Sequence, residues 1–245
     1  MAVTERQRAD RLLVERGLFD SRAKAQAAIA AGLVTADGVR VAKPSQEIPA
    51  GAEIAAWPEH PYVSRGGVKL AAALDRFGFD PRDRVCLDVG ASTGGFTEVL
   101  LARGARRVYA VDVGRGQLHE KLRARSEVTS FEETDIRAFS SALLPERPDL
   151  IVVDVSFISL KLALPAALAL TQGRAQLVAL IKPQFEAGRG KRKRGVVRDR
   201  QVQQAACEDI AALVGGLGWT VLGVIPSPIL GGEGNREFLL GATRG

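Results

Sequence analysis

The sequence is poor in the residues that build disulfide frameworks and metal sites. Its 245 residues include two cysteines, Cys86 and Cys207, and two histidines, His60 and His119. Two cysteines cannot form a disulfide framework or a four-ligand zinc site. No apolar run has the length of a membrane span, and the charges within residues 1–13 are unlike those of a signal peptide. We therefore expect a reduced, cytoplasmic protein with no metal centre and no membrane partner.

The composition is that of an ordinary globular protein with a basic surplus. Hydrophobic residues make up 46% of the chain and charged residues 25%, which excludes a disordered or collagen-like chain. The net charge of +6 indicates a mild preference for anionic partners. The densest basic cluster is Arg189, Lys191, Arg192, Lys193 and Arg194, with Arg198 and Arg200 after it. Composition slightly favours a solvated surface loop here over a phosphate-binding loop.

The first 61 residues predict a small α+β unit. Helical spacing predicts a helix over 8–17 that ends at a glycine, and Ser21 can cap a second helix that extends to Ala31. The Asp37-Gly38 turn between two apolar pairs predicts a β-hairpin. Because residues 43–61 contain four prolines, we expect there a strand end followed by a linker.

From residue 62 onward, strands alternate with helices. Apolar, β-branched runs predict strands, and helices are expected between them, for example at 97–103 and 160–169. The predicted strands are 85–89, 107–113, 127–131, 150–155, 176–181, 220–225 and 237–240. Nearly continuous apolar strands separated by helices indicate an α/β fold with a parallel sheet covered on both faces.

A glycine-rich turn, Gly90-Ala91-Ser92-Thr93-Gly94-Gly95-Phe96, stands between the first of these strands and a helix. Glycines let a backbone approach a ligand closely, and a helix N-terminus offers free N–H donors. Its spacing matches neither the dinucleotide fingerprint nor the P-loop. Asp112, about twenty residues later, can bind a ribose diol. A tight turn without a ligand is the alternative interpretation.

This turn resembles motif I of the S-adenosylmethionine-dependent methyltransferases. The resemblance implies that Gly90, Ala91, Ser92, Thr93, Gly94, Gly95 and Phe96 surround the methionine part of S-adenosylmethionine. It also implies Asp112 on the ribose hydroxyls and Asp135 near the adenine. The ligand would lie across the carboxyl ends of the strands, where the strand order reverses.

Four charged residues form a candidate catalytic set. Asp154 and Lys182 end two apolar strands, and charges at the carboxyl ends of neighbouring parallel strands face one crevice. Lys69 precedes the first strand and Glu237 begins the last. Each is explained by itself as a solvated charge, but the order Lys–Asp–Lys–Glu resembles the tetrad of the FtsJ-like RNA 2′-O-methyltransferases. Lys182 would act as a base or stabilise the developing alkoxide, while the carboxylates orient the lysines.

Segments along nearly the whole chain resemble the TlyA family, also called hemolysin A. The N-terminal segments that resemble an S4 RNA-binding domain are 10–13, 15–18, 21–22, 31–34 and 37–38. The segments that resemble the family's FtsJ-like part are 63–67, 88–96, 112–114, 154–160, 182–186, 195–197 and 234–237. The resemblance implies an S4 domain at 1–57, a linker at 58–63 and a Rossmann-like class I methyltransferase domain at 64–245. The implied activity is 2′-O-methylation of cytidine in ribosomal RNA, with S-adenosylmethionine as donor.

Basic and aromatic side chains are candidates for RNA contact. In the S4 part they are Arg6, Arg8, Arg11, Arg16, Arg22, Lys24, Arg40 and Lys43. In the methyltransferase part they are Arg65, Phe157, Arg189, Lys191, Arg192, Lys193 and Arg194. Phosphate contacts of this kind position RNA without reading its sequence. Phe157 could stack on a flipped base or belong to the core.

Three other functions remain as alternatives. A membrane-lytic protein needs apolar or amphipathic membrane segments, which the sequence lacks. An RNA-binding scaffold without catalysis would not require the charged tetrad. A base-directed methyltransferase is expected to carry a proline-containing motif after the fourth strand, whereas Asp154 is followed by Val-Ser-Phe. We expect a monomer that acts on ribosomal RNA or a ribosomal subunit. Because the chain resembles the shorter members of the family, we expect a large-subunit target.

Overall fold

A computed structural model describes residues 6–30, 32–56, 60–187, 196–231 and 234–245. Contacts divide the chain into two compact units, 1–61 and 62–245. Within the described residues, no helix is both long and apolar enough to cross a membrane.

The N-terminal unit packs two short helices against short strands. Its elements are β1 Arg6–Arg8, α1 Ala9–Glu15, α2 Arg22–Ala30, β2 Val34–Ala36, β3 Val39–Arg40, β4 Glu47–Pro49 and β5 Ile54–Ala56. Strand β1 pairs with β4, and β2 pairs with both β3 and β5. The predicted hairpin is confirmed: Asp37 and Gly38 connect β2 to β3 with φ of 50° and 76°, as a type I′ turn requires.

One prediction for this unit is wrong. Residues 43–61 were expected to be a strand end and a linker, yet β4 and β5 lie there and pair with β1 and β2. Prolines are tolerated because both strands are three residues long and Pro49 stands at the end of β4. The paired strands enclose a core of Leu12, Leu13, Ile29 and Val34, all at most 4% exposed.

The second unit is an α/β sandwich of three layers. Its helices are α3 Gly66–Phe77, α4 Gly95–Ala102, α5 Glu120–Arg123, α6 Leu160–Ala169, α7 Pro183–Glu186 and α8 Arg200–Gly216. Its strands are β6 Val85–Val89, β7 Arg107–Val111, β8 Val128–Phe131, β9 Leu150–Val153, β10 Ala175–Ile181, β11 Thr220–Pro226 and β12 Phe238–Arg244. Within the described residues, these seven strands form one sheet in the order β11-β12-β10-β9-β6-β7-β8.

The sheet is parallel from β10 to β8, and helices cover both faces, as predicted. Side chains alternate between the two faces of the sheet along each strand, and a central strand is buried on both faces. In β9, Leu150 and Val152 join a core with α3 and α4, whereas Ile151 and Val153 join a core with α6 and α8. The exception is β12, which runs antiparallel to both β10 and β11.

Candidate active site

The glycine-rich turn after β6 adopts a backbone conformation that few residues other than glycine favour. Gly90, Ser92 and Gly94 have φ of 83°, 47° and 95°, in the left-handed region. A Cβ at Gly90 would collide with the carbonyl oxygen of Asp154. The glycine at 90 thus lets the turn pack directly against the end of β9, so the turn and Asp154 border the same space.

Asp112 fixes the shape of this turn. It follows β7, and its carboxylate accepts hydrogen bonds from the backbone nitrogens of Ser92 at 2.8 Å and Gly114 at 2.7 Å. Gln117 accepts a bond of 3.1 Å from the hydroxyl of Ser92. These contacts link the ends of β6 and β7 at the edge of the sheet where parallel strands offer a ligand crevice.

A cavity of about 340 Å³ lies beside Asp112. Val89, Val111 and Ile158 contribute apolar wall, while Asp112 and Asp135 contribute carboxylates. Arg137 lies 2.5 Å from Asp135 and, through its hydrogen bonds, lowers the pKa of that carboxyl. With Asp154, which also lines it, the cavity combines apolar surface with three acids, and its wall includes Gly90 and Ser92 of the turn.

Helix α3 approaches the start of α4 closely because the facing residues are glycines. A Cβ at Gly95, the first residue of α4, would collide with the side chain of Ser64 and would lie 3.0 Å from the backbone nitrogen of Gly67 on α3. This close packing places the first turns of α3 beside the glycine-rich turn. Lys69 therefore stands on α3, where the sequence indicated only that it precedes the first strand.

Lys69 and Glu237 form an ion pair between α3 and the residue before β12. Their exposed fractions are 8% and 4%. Gly231 lies against Glu237 so closely that a Cβ at position 231 would collide with the carboxylate. Because both charged groups are buried, each is stabilised mainly by the opposite charge of the other. Removal of one would leave an unpaired buried charge.

Lys182 is held by two residues that follow β9. Its Nζ lies 2.5 Å from Oδ1 of Asp154 and donates a hydrogen bond of 2.8 Å to Oγ of Ser156. The cavity that Lys182 borders measures about 290 Å³ and is also lined by Lys69, Asp154 and the glycine-rich turn. The structure thus brings three of the four predicted catalytic residues to one cavity, and pairs the fourth, Glu237, with Lys69.

The loop after Asp154 presents an aromatic ring to solvent. Phe157 has a φ of 69° and is 91% exposed, and its ring lies 5.4 Å from that of Phe185. Glu186 secures this loop by accepting hydrogen bonds from the backbone nitrogen of Leu160 at 2.8 Å and from the hydroxyl of Ser159. A positive φ at a phenylalanine is strained, and the Glu186 contacts hold the loop where that strain occurs.

A fully buried carboxylate lies beneath the glycine-rich turn. Asp88 accepts a hydrogen bond of 2.6 Å from the hydroxyl of Thr97, while its Oδ1 has no hydrogen-bond partner in the described part of the chain. Burial raises the pKa of Asp88 to about 7. This side chain joins β6 to α4, at the two ends of the turn.

Several predicted RNA-contact residues make contacts within their own unit. Asp10 is fully buried and accepts hydrogen bonds from Arg8, Arg22 and Gln26. The bond from Arg8 is the main cause that holds the pKa of Asp10 far below its usual range, against the effect of burial. Arg6 donates to the backbone carbonyl oxygen of Glu47, and Arg16 donates to those of Ala50 and Ala52. Lys24 pairs with Asp20.

The remaining basic candidates are open to solvent or undescribed. Arg11, Arg40, Lys43 and Arg65 are exposed, and no ion pair involves them within residues 6–30, 32–56, 60–187, 196–231 and 234–245. Arg65 also lines the cavity beside Lys69 and Lys182. The predictions for Arg189, Lys191, Arg192, Lys193 and Arg194 fall outside the described residues.

Sequence reasoning did not select Ser156, Ser64 or Gln117 as site residues. Ser156 borders both cavities and bonds to Lys182. Its position two residues after Asp154, at the carboxyl end of a strand, was the available signal. Among the described residues, no group of three or more His, Cys, Asp or Glu side chains is arranged to hold a metal ion.

Two family models match this chain. The FtsJ-like methyltransferase model matches residues 62–244, and the S4 domain model matches residues 7–54. The chain is 43% identical over 241 residues to the 16S/23S rRNA (cytidine-2'-O)-methyltransferase TlyA of Mycobacterium tuberculosis. That alignment covers 97% of this chain and 90% of the relative.

Solved structures share the architecture. A protein of Streptococcus thermophilus designated a hemolysin has a TM-score of 0.77 and 42% identity, over 99% of this chain and 90% of that one. The N-methyltransferase NodS from Bradyrhizobium japonicum, in complex with S-adenosyl-L-homocysteine, has a TM-score of 0.51 and 17% identity. The match covers 76% of this chain and 89% of NodS, and at this identity it shows only that the two share a fold.

Proposed function

Because this chain belongs to the TlyA family of FtsJ-like methyltransferases, with an S4 domain ahead of the methyltransferase domain, we propose that it methylates ribosomal RNA. The methyl group of S-adenosylmethionine would pass to the ribose 2′-hydroxyl of a cytidine. The observation that carries this proposal is the arrangement of Lys69, Asp154 and Lys182 around one cavity, bordered by the glycine-rich turn.

The residues of the turn suit S-adenosylmethionine. The glycine conformations at 90 and 94 allow the chain to follow a ligand closely, and the apolar wall beside Asp112 offers space for a purine. In the proposal, the residues Gly90, Ala91, Ser92, Thr93, Gly94, Gly95 and Phe96 hold the methionine part. Asp112 binds the ribose hydroxyls and Asp135 lies near the adenine. When bound, the donor supplies an electrophilic methyl group on a sulfonium.

Lys182 is the proposed partner of the acceptor oxygen. Asp154 and Ser156 fix its ammonium at the carboxyl ends of β9 and β10, where it borders the cavity. A fixed cation there stabilises the negative charge that develops on the 2′-oxygen as its proton leaves, and it holds the oxygen in position for methyl transfer. Glu237 holds Lys69 in the same way, so each acid orients one lysine.

The remaining candidates would hold the RNA. Exposed Arg11, Arg40 and Lys43 would contact phosphates through the S4 domain, together with those basic residues whose side chains also bond within the unit. These are Arg6, Arg8, Arg16, Arg22 and Lys24. Arg65 would contact phosphate at the cavity, and the basic run at 189–194 would add a second anchor. The exposed ring of Phe157 would stack on the flipped base.

The test is methyl transfer to purified ribosomal subunits and to transcribed 16S and 23S ribosomal RNA. Radiolabelled S-adenosylmethionine reports incorporation, and mass mapping of nucleosides reports the modified atom. We expect 2′-O-methylcytidine, and the large-subunit RNA is the expected target. Methyl groups found on bases, or an absence of transfer to every RNA and subunit, would exclude the proposed reaction.

A further inference from the structure

A cavity lined by arginines lies outside the candidate active site. Its volume is about 320 Å³, and Arg198, Arg200 and Arg236 are among the residues that line it. None of its lining residues belongs to the two cavities around the glycine-rich turn. The arginine cavity is therefore separate from the cavities of the candidate active site.

Buried amides fix the backbone of this cavity. Asn235 is 2% exposed, and its Oδ1 accepts a hydrogen bond of 3.1 Å from the backbone nitrogen of Val197. Gln203 is 5% exposed, and its Nε2 donates a bond of 2.7 Å to the carbonyl oxygen of Val197. Both backbone groups of Val197 are thus bound by side chains, so the segments that carry Arg198, Arg200 and Arg236 are joined rigidly.

Among the residues that the structure describes, none pairs its charge with these three guanidinium groups. All three residues are exposed, and no ion pair involves them in the part of the chain that the structure describes. Asp199 lies between two of them in the sequence, and its carboxylate accepts a hydrogen bond of 2.8 Å from the backbone nitrogen of Gln201, which caps α8. Guanidinium groups that share a small space repel each other, and an oxyanion between them relieves that repulsion.

Arg236, which lines the arginine cavity, directly precedes Glu237 of the candidate catalytic set in the sequence. Arg236 is exposed, whereas its neighbours Asn235 and Glu237 are buried. This alternation places Arg236 and Glu237 on opposite sides of the segment that leads into β12. An anion held by Arg236 would therefore be anchored to the same segment that carries the partner of Lys69.

We propose that Arg198, Arg200 and Arg236 bind a phosphodiester group of the substrate RNA. This inference rests on the proposed function, because it assigns a further contact to the same substrate. Arginine suits the role because its planar fork bonds two phosphate oxygens at once. The contact positions the RNA strand without reading its bases, and the uneven charge of the chain, with its surplus beyond residue 60, agrees with it.

The experiment compares two triple variants that lose the same charge. One carries Arg198→Gln, Arg200→Gln and Arg236→Gln, and the control carries Arg76→Gln, Arg82→Gln and Arg174→Gln. The three control arginines are exposed and lie near the amino ends of the parallel strands. Filter binding to transcribed 16S and 23S ribosomal RNA over a salt series gives the affinity and its salt dependence.

We expect the cavity variant to lose about one unit of slope in the plot of log affinity against log salt, as the loss of one phosphate contact predicts. Its affinity at moderate salt should fall by about tenfold relative to the control. The KM for RNA should rise while kcat and the affinity for S-adenosylmethionine stay unchanged. Thermal unfolding of all proteins, and the single variant Arg236→Gln, separate a loss of contact from a loss of fold.

Equal slopes and affinities in the two triple variants would overturn the proposal. So would stabilisation of the wild-type protein by inorganic phosphate, lost in the cavity variant, with unchanged RNA binding, because the cavity would then serve a free anion. If the wild-type protein transfers no methyl group and the slope difference persists, the phosphate site stands and the proposed function fails.

Discussion

Nζ of Lys182 lies 2.5 Å from Oδ1 of Asp154, at the carboxyl ends of adjacent parallel strands. The two residues are far apart in the sequence, and the register of β9 and β10 brings them together. Ser156 accepts a further hydrogen bond from the same ammonium. Lys182 is therefore held on one side by groups from a single loop, while it borders the cavity on the other.

The first prediction concerns this ammonium. Lys182→Ala should lower kcat by at least about 100-fold, the cost typical of losing one preorganised charge at a reacting oxygen. Binding of S-adenosylmethionine should change little, because the turn and Asp112 remain. Methyl transfer to ribosomal RNA and calorimetric binding of the donor measure the two effects.

Two further variants test whether the effect is specific to Lys182 and whether Lys182 acts as a base or through its charge. Lys161→Ala removes an exposed lysine that pairs with Asp209, and it should retain full activity. Lys182→Arg keeps the cation but cannot serve as a base near neutral pH. Activity in Lys182→Arg would favour charge stabilisation, whereas Lys182→Ala activity within twofold of wild type would exclude Lys182 from the chemistry.

The second prediction concerns the buried pair of Lys69 and Glu237. Lys69→Met or Glu237→Gln should each lower the free energy of unfolding by about 3–5 kcal/mol, because each leaves a buried charge without its partner. The double variant should lose less than the sum of the single changes. Urea unfolding of the four proteins measures the coupling, and strictly additive losses would contradict a direct pair.

The third prediction concerns Asp88. Its pKa of about 7 in the folded protein lies above the value of ~3.9 expected when unfolded. Between these values the folded state binds more protons, so the free energy of unfolding should decrease as the pH rises from ~4 to ~7. From pH 5 to 7.5 this decrease amounts to ~2.5 kcal/mol.

Asp88→Asn removes the titrating group and should remove this part of the pH dependence. Urea unfolding at several pH values compares it with the wild type and with Asp149→Asn, whose carboxylate is 41% exposed. A pH dependence that is identical in wild type and Asp88→Asn would show that Asp88 does not titrate in this range.

Local patterns sufficed to predict much of the fold. The apolar runs of β6 and β9 predict central strands because both faces of a parallel sheet are buried, and the Asp37-Gly38 turn predicts a hairpin because its conformation is local. The antiparallel direction of β12 is set by its pairing with β10 and β11, which no local pattern encodes. Helices α3 and α8 were likewise not assigned from the sequence.

The same contrast between local patterns and long-range contacts applies to the candidate site. The glycine-rich turn is recognisable because its residues are consecutive. The pairing of Lys69 with Glu237 joins residues separated by most of the domain, so the sequence supplies the charges without their partners. Similarly, Arg8 and Arg22 are predicted as surface cations, yet both bond to the buried Asp10, and the Arg22 contact is made by the packing of α1 against α2.

The fourth prediction concerns Asp112. Asp112→Ala should lower the affinity for S-adenosylmethionine by at least about tenfold, because it removes one charged acceptor for the ribose hydroxyls and releases the nitrogens of Ser92 and Gly114. Calorimetry with S-adenosyl-L-homocysteine measures the affinity. Glu133→Gln makes the same charge change at an exposed residue nearby and should bind normally. Equal affinities for both variants would remove Asp112 from the binding site.

The last prediction concerns Phe157. A ring that is 91% exposed and held by Glu186 through the following loop is expected to stack on a base of the RNA, and stacking contributes ~1–3 kcal/mol. Phe157→Ala should therefore raise the KM for RNA by about tenfold, while the donor affinity and the thermal midpoint stay unchanged. Phe157→Trp should restore binding, because any aromatic face can stack. Leu162→Ala, which shortens another exposed apolar side chain, is the control. An unchanged KM in Phe157→Ala, or a fall in thermal midpoint that Phe157→Trp does not reverse, would assign the ring to the fold of the loop instead.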